Sequence, residues 1–150
     1  MAITYDYIII GAGASGNHLA LAMLDDEYFS DHNILIIEKS EKTSNDKTWS
    51  FWENEKGKWD PITRKQWRYA NVYGFDEEIN IDLKTLRYKM LRSVDFYKHA
   101  KDQLKKAKQF TYINDEVVDV DENQQKVRVK TADQTYQATH VFDSRLPDMK

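Results

Sequence analysis

Tyr7-Ile8-Ile9-Ile10-Gly11-Ala12-Gly13-Ala14-Ser15-Gly16 decides the fold. An apolar, β-branched run enters a Gly-x-Gly-x-x-Gly turn, and a helix-like stretch leaves it. That order predicts the pyrophosphate-cradling turn of a dinucleotide-binding βαβ unit. Three of the chain's 5 glycines fall within this short turn, so glycine is concentrated here rather than scattered. Gly11 permits the tight turn off the strand, Gly13 lets a phosphate approach the backbone, and Gly16 lets the helix pack close to the strand. The free N–H groups at the start of the helix, with Ala14 and Ser15 in its first turn, then face the anion at the positive end of the helix dipole.

Outward from the turn, Tyr5 to Ile10 reads as a buried parallel strand, because its apolar run shows little alternation. Ser15 to Leu24 reads as a helix with Leu19, Ala20, Met23 and Leu24 on its apolar stripe. Ile34-Leu35-Ile36-Ile37-Glu38 is a second buried strand that ends on an acid. Glu38 lies 22 residues after Gly16, close to the spacing at which this motif expects a carboxylate on a ribose hydroxyl. The alternative is a solvated acid at a strand end. Lys39 follows Glu38 and is grouped with it on the nucleotide side.

Lys39 to Lys58 reads as a polar loop holding Trp49, Phe51 and Trp52. Trp67 to Tyr73 and Glu78 to Leu83 read as strands around Gly74. Val94 to Ala107 reads as a helix, with Phe96, Ala100, Leu104 and Ala107 at helical spacing and Ser93 as N-cap. Phe110 to Ile113 is a short strand. Val117 to Val120, Lys126 to Thr131 and Thr135 to Ala138 read as an antiparallel meander, after which Val141-Phe142-Asp143 returns to the main sheet. The expected class is therefore α/β, a Rossmann-like βαβ with a parallel sheet and an antiparallel meander. That layout resembles the glutathione-reductase-like family of FAD enzymes.

Composition sets the bounds. A chain of 150 residues suits about one domain, and 31% charged with 41% hydrophobic residues suits a globular one. The net charge of -3 gives no electrostatic footprint for nucleic acid. The absence of cysteine removes disulfides, thiolate nucleophiles and Cys-based metal sites. His18, His32, His99 and His140 show no metal-ligand spacing. No apolar run approaches the roughly 18 residues of a membrane span, and the N-terminus lacks the basic region of a signal peptide, so the expected address is the cytoplasm.

Asn45-Asp46-Lys47-Thr48-Trp49-Ser50-Phe51-Trp52-Glu53 is the second informative block. It resembles the Asp-Arg-Thr-Trp-Cys-Phe-Trp signature of bacterial lycopene cyclases. Tyr88-Lys89-Met90-Leu91-Arg92-Ser93-Val94-Asp95-Phe96-Tyr97 and Val141-Phe142-Asp143-Ser144-Arg145 agree, in the same order. The chain thus resembles the N-terminal part of a flavin-dependent lycopene β-cyclase. Lys47 and Ser50 depart from the family's Arg and Cys, and Asn17 and His18 replace apolar residues after the third glycine.

The resemblance implies FAD, in reduced form and with NAD(P)H as a candidate reductant. It also implies a lipophilic carotenoid substrate and peripheral contact with a membrane surface. The reaction implied is a ring closure without net oxidation: an end of lycopene is protonated, and the cation closes a β-ionone ring and loses a proton. Such an enzyme is an isomerase or intramolecular lyase. Family members are more than twice as long, and their acidic catalytic motif falls beyond the position matching Lys150. Residues 1–150 are therefore expected to be the FAD-binding N-terminal region, with the substrate and catalytic part absent from this chain and no catalytic residue to name within it. By the same resemblance, Arg92 is a flavin or phosphate contact or else a surface arginine. Trp49, Phe51 and Trp52 line the carotenoid path or else belong to the core. Asp143 and Arg145 orient the flavin's pyrophosphate or ribose or else form a strand-end ion pair. The lysines at 98, 101, 105, 106 and 108 form a solvated helix face or else a patch for anionic lipid head groups. The rival assignments are another flavoprotein, of the hydroxylase or prenyl-reductase type, and a non-catalytic dinucleotide-binding domain.

Overall fold

The computed structural model describes residues 2–123 and 125–145. In chain order the elements are β1 (Ile3–Ile10), α1 (Ala14–Asp25), β2 (Ile34–Glu38), β3 (Thr48–Asn54), β4 (Lys65–Trp67), β5 (Tyr69–Tyr73), β6 (Glu78–Asp82), β7 (Leu86–Arg92), α2 (Ser93–Leu104), β8 (Phe110–Asn114), β9 (Val117–Glu122), β10 (Val127–Thr131) and β11 (Thr135–Asp143). They fall into two compact units, Met1–Lys42 with Ala100–Lys150, and Thr43–His99.

The first unit is built on a six-stranded sheet in the order β8-β2-β1-β11-β10-β9. The strands from β8 to β11 run parallel, and β10 and β9 are antiparallel. Ile8, Ile9 and Ile10 are buried, as is every residue of β2, which is why both strands are apolar throughout. One face of the sheet gathers Ile8, Ile10, Leu35, Ile37, Val117, Val129, Tyr136 and Ala138 into a core. Helix α1 buries Gly16, Asn17, Ala20, Leu21 and Met23.

The third meander strand and the returning strand are one element. β11 pairs antiparallel with β10 from Thr135 to Ala138 and parallel with β1 from Tyr136 to Asp143. The polar residues Gln137, Thr139 and His140 interrupt its apolar pattern, and this makes one strand read as two.

The second unit holds a three-stranded sheet, β3-β7-β4, and a two-stranded sheet, β5-β6. Strand β3 lies inside the stretch that reads as a polar loop. Its Trp49, Phe51 and Glu53 are half-buried, and Ser50 and Trp52 between them are exposed. What reads as a single strand over 67–73 is two strands in different sheets, β4 and β5. β7 carries no legible strand signal because its buried residues are Arg87, Lys89 and Leu91. Lys89 is 0% exposed, and its ammonium meets Glu53 at 3.0 Å and Asp60 at 2.5 Å. Arg87 meets Glu55 at 2.7 Å and donates to the carbonyls of Lys84 and Leu86. Burial alone would push the Lys89 ammonium down, but its two carboxylate partners outweigh that and hold it above the ordinary lysine range.

Candidate functional site

Strand β1 ends at Ile10 and the chain turns at Gly11, whose φ of +92° lies in the region that side chains rarely adopt. The Gly11 N–H donates to the Ile37 carbonyl of β2 at 2.8 Å, so the turn starts still laced to its neighbour. Ser144, the first residue past β11, closes the other side. Its N–H and its hydroxyl donate to the Ile10 carbonyl at 3.0 and 2.8 Å. A Cβ on Gly11 would fall on the Ser144 hydroxyl oxygen. One on Gly16 would overlap the Gly11 carbonyl and press on Ile9, so α1 packs against the turn at contact distance. Both glycines are therefore demanded by the chain's own packing.

Gly13 differs. Its φ is -74°, which any residue adopts, and a Cβ there would meet no atom within 4 Å. The space in front of it is open. Behind it the turn is held firmly. The Ala12 N–H donates to Glu38 Oε2 at 2.7 Å, and the Asn17 amide donates to the Ala12 carbonyl at 2.6 Å from a position only 3% exposed. The first backbone bond of the helix runs from Asn17 to Gly13. The N–H groups of Gly13, Ala14, Ser15 and Gly16 have no acceptor among the described residues. These are the unpaired donors of a helix start, in a position where an anion satisfies them.

Glu38 terminates β2 beside this turn and is 5% exposed. Its Oε1 accepts from the Ser40 N–H at 3.1 Å and the Ser40 hydroxyl at 2.9 Å, and the Lys42 ammonium lies at 3.7 Å. Burial would raise its pKa, but the bonds from Ala12 and Ser40 and the charge of Lys42 outweigh burial and hold the carboxyl below its ordinary value. A carboxylate has about four lone-pair sites, so these bonds leave capacity for a further donor. Lys39 is exposed at the end of the strand.

Asp143 ends β11 on the same side of the sheet. The Arg145 guanidinium forks onto it, with Nε at 3.0 and 3.1 Å and Nη2 at 2.7 Å, while Nη1 donates to the Val117 carbonyl at 2.9 Å. Burial would raise the Asp143 carboxyl, and the Arg145 side chain and N–H outweigh it, so the group lies below its ordinary value. In this arrangement the two residues form a strand-end ion pair that ties β11 to the start of β9.

The first unit thus brings Gly11, Gly13, Ala14, Ser15, Gly16, Glu38, Lys39, Asp143 and Arg145 to the C-terminal ends of the parallel strands β2, β1 and β11. Crevices at such strand ends are where open α/β sheets bind ligands. The other candidates belong to the second unit. Arg92 forks onto Asp95 at 2.8 and 3.1 Å. The three aromatic residues of β3 do not form one stripe. Trp49 and Phe51 share a face, where Trp49 packs edge-on against Phe96 and Tyr97 at 5.6 and 5.8 Å. Trp52 points to the opposite face, 57% exposed, with its ring 4.8 Å from Tyr88. Strand alternation forces this split, because 51 and 52 are adjacent. Ser93 opens α2 fully buried, accepting from the Lys47 N–H at 3.0 Å and donating to Asp46 at 2.6 Å, so it anchors the segment that leads into β3.

Ser144, Asn17 and Ser40 hold the site and are not identified as site residues by the glycine motif. Ser144 stands within the Val141–Arg145 block, but its role depends on a contact across more than a hundred residues. Asn17 reads as a polar intrusion on an apolar face, and the structure shows its purpose in the Ala12 carbonyl.

A glycine turn between a buried strand and a helix, with an acid closing the second strand and a meander beside it, defines a dinucleotide-binding βαβ fold. Solved structures share this fold. The chain is similar to halogenase PltM in complex with phloroglucinol and FAD, with 14% identity, a TM-score of 0.65, and 94% of this chain and 34% of that one covered. It is similar to PqsL of P. aeruginosa in complex with 2-aminobenzoylacetate, with 13% identity, a TM-score of 0.68, and 92% and 42% covered. It is similar also to a geranylgeranyl bacteriochlorophyll reductase-like protein from Thermoplasma acidophilum, with 18% identity, a TM-score of 0.66, and 95% and 39% covered. The chain therefore spans between a third and somewhat over two fifths of the length of these structures. More narrowly, it belongs to the lycopene cyclase family: the family described as "Lycopene cyclase protein" matches residues 6–149. No curated protein matches the chain in sequence. Among the described residues, no helix is long and apolar enough to cross a membrane.

Proposed function

We propose that this chain is the FAD-binding part of a lycopene cyclase-type enzyme, which closes the ends of a linear carotenoid into β-ionone rings without net oxidation. The observation that carries the cofactor assignment is Gly13. Gly11 and Gly16 are glycine because neighbouring atoms leave no room, whereas Gly13 is glycine in open space. Among the described residues no neighbouring atom requires glycine there, and its place as N-cap of α1 favours glycine over alanine only modestly, so we assign the stronger requirement to something the chain binds. The N–H groups of Ala14, Ser15 and Gly16, which have no acceptor among the described residues, give that ligand its charge, an anion such as a pyrophosphate.

In this reading Gly13 and the first turn of α1 hold the pyrophosphate, and Glu38 accepts from a ribose hydroxyl. Lys39, Asp143 and Arg145 stand at the rim of the same site. When bound, the flavin supplies an electron-rich group next to the carotenoid. The residues of this chain bind and orient it, and the reading assigns none of the 150 residues as the proton donor. A carotenoid contact falls to Trp52, the exposed member of its aromatic block, more readily than to Trp49 or Phe51. Peripheral membrane contact and a cytoplasmic address accompany a lipophilic substrate. The neighbour described as a reductase supports a second reading, a redox flavoprotein that consumes reduced nicotinamide.

The first test is the visible absorption spectrum of the purified chain, with acid-released flavin quantified. Bound FAD, or uptake of added FAD, is the expected result. A chain that is folded by circular dichroism and takes up no FAD overturns the cofactor assignment. Expression of the chain joined to the catalytic part of a family member, in lycopene-accumulating cells, tests the reaction. A red-to-orange pigment shift supports cyclisation, and persistent red together with flavin-dependent oxidation of reduced nicotinamide supports the second reading.

A further inference from the structure

The hairpin β5–β6 is a sheet of two strands, and all its residues but Ala70 are exposed. Its two faces differ. Arg68 forks onto Asp82 at 3.2 Å by each of two bonds, and Asn71 bonds Asn80 at 2.6 Å and Glu78 at 3.3 Å, so one face is a polar ladder suited to water. The other face is Ala70, Val72, Ile79 and Ile81, paired Ala70 with Ile81 and Val72 with Ile79. Val72 and Ile79 are 50% and 52% exposed. An isolated two-stranded hairpin is marginal in water, and three or more strands over an apolar face are the stable form.

The two edges of the hairpin also differ. The Leu83 N–H donates to the Arg68 carbonyl and the Gly74 N–H to the Glu77 carbonyl. Bonded and non-bonded pairs alternate along an antiparallel ladder, so Ala70 and Val72 turn their main-chain groups toward β6. Tyr69, Asn71 and Tyr73 turn theirs outward, where the described residues offer no partner. Glu78, Asn80 and Asp82 do the same on the β6 edge. That edge carries two acids, a common guard against strand pairing, while the β5 edge carries no charge.

We propose that the β5 edge pairs antiparallel with the β5 edge of a second copy of this chain, about a two-fold axis at Asn71. The segment Tyr69-Ala70-Asn71-Val72-Tyr73 is near-palindromic. In this register Asn71 faces Asn71, Tyr69 faces Tyr73 and Ala70 faces Val72, and every outward N–H and carbonyl of the three edge residues finds a partner. The apolar faces join into one surface across four strands. The same operation at β6 would set Glu78 against Asp82, a like-charge pair that disfavours it. The β5 interface is isologous and closes at a dimer.

The test is the molar mass of the full chain in solution, by sedimentation across a wide concentration range. The expected result is a monomer–dimer equilibrium. Because residue 71 faces itself, Asn71→Asp and Asn71→Lys should each weaken the dimer by about tenfold or more, while an equimolar mixture of the two regains a one-to-one heterodimer. The position is exposed, and circular dichroism checks that each variant keeps its fold. A monomer at every concentration overturns the proposal, as does a dimer indifferent to both substitutions. A monomer that floats with phosphatidylcholine vesicles also overturns it and gives the apolar face to lipid.

Discussion

Strand β2 is buried at each of its positions, and strand β6 is exposed at each of its positions. The two have the same length and lie in the two different units. β2 sits inside a six-stranded sheet, so both of its faces must be apolar and its main-chain groups are paired on both sides. β6 alternates Glu-Ile-Asn-Ile-Asp and is paired on one side alone. The difference teaches where structure is self-sufficient. The first unit pairs the main chain of its central strands on both sides and buries their apolar side chains. The second keeps one self-contained sheet, stapled by Lys89, and one hairpin that presents an apolar face and a bare edge.

The contrast can be broken most directly at Gly16. Its Cβ would strike the Gly11 carbonyl, which is backbone and cannot give way, so Gly16→Ala should cost about 3 kcal/mol or more by chemical denaturation. All 4 tryptophans, at 49, 52, 59 and 67, lie in the second unit, so their fluorescence reports that unit while far-UV circular dichroism follows the strands and helices of both. Two separate midpoints in the variant would sharpen the contrast, and one shared midpoint would break it.

Lys89→Ala is the converse experiment. It leaves Glu53 and Asp60 facing an empty space where a buried ammonium stood, and should lower the tryptophan-reported midpoint by about 5–10 °C. Lys89→Met, which refills the volume, should lower it less. Equal losses would show that charge rather than packing matters there.

Acid should act on the first unit through Glu38. Its carboxyl lies below the ordinary value in the folded chain, so its contribution is present above the unfolded pKa of about 4.3 and is lost as pH falls through the folded value. The expected result is a midpoint that declines below about pH 4, with a shallower decline in Glu38→Gln. Identical slopes in the two proteins would remove Glu38 from the account. Gly13→Ala should have the smallest effect on stability, about 0.5–1 kcal/mol from the lost N-cap preference. The same change should weaken FAD binding by about tenfold, and unchanged affinity would leave the open cradle without a ligand.

The glycine turn, both buried parallel strands, the acid closing the second strand, both helices and the meander are legible in the sequence, because each follows from burial or local spacing. Helix α2 starts one residue earlier and ends three residues earlier than its apolar spacing implies. β7 is illegible for a physical reason: Arg87 and Lys89 point inward, and the acids that make this tolerable lie 32, 36 and 29 residues away. β3 hides because Ser50 and Glu53 interrupt an aromatic strand. At the site, Ser144 and Asn17 act through contacts that no local pattern encodes, and the side of the strand on which Trp52 falls becomes clear only once β3 is known to be a strand.

The position of β1 carries a consequence for synthesis. This first strand of the chain sits between β2 and β11, and the Ser144 hydroxyl that locks its end is 134 residues downstream of Ile10. A ribosome releases β1 early, yet nothing can complete its second flank until almost the whole of this sequence has been made. Within this sequence the turn at Gly11 is made well before the residue that secures it, a delay that suits a non-local sheet to slow folding. Until then the apolar strand β1 keeps one edge without its partner.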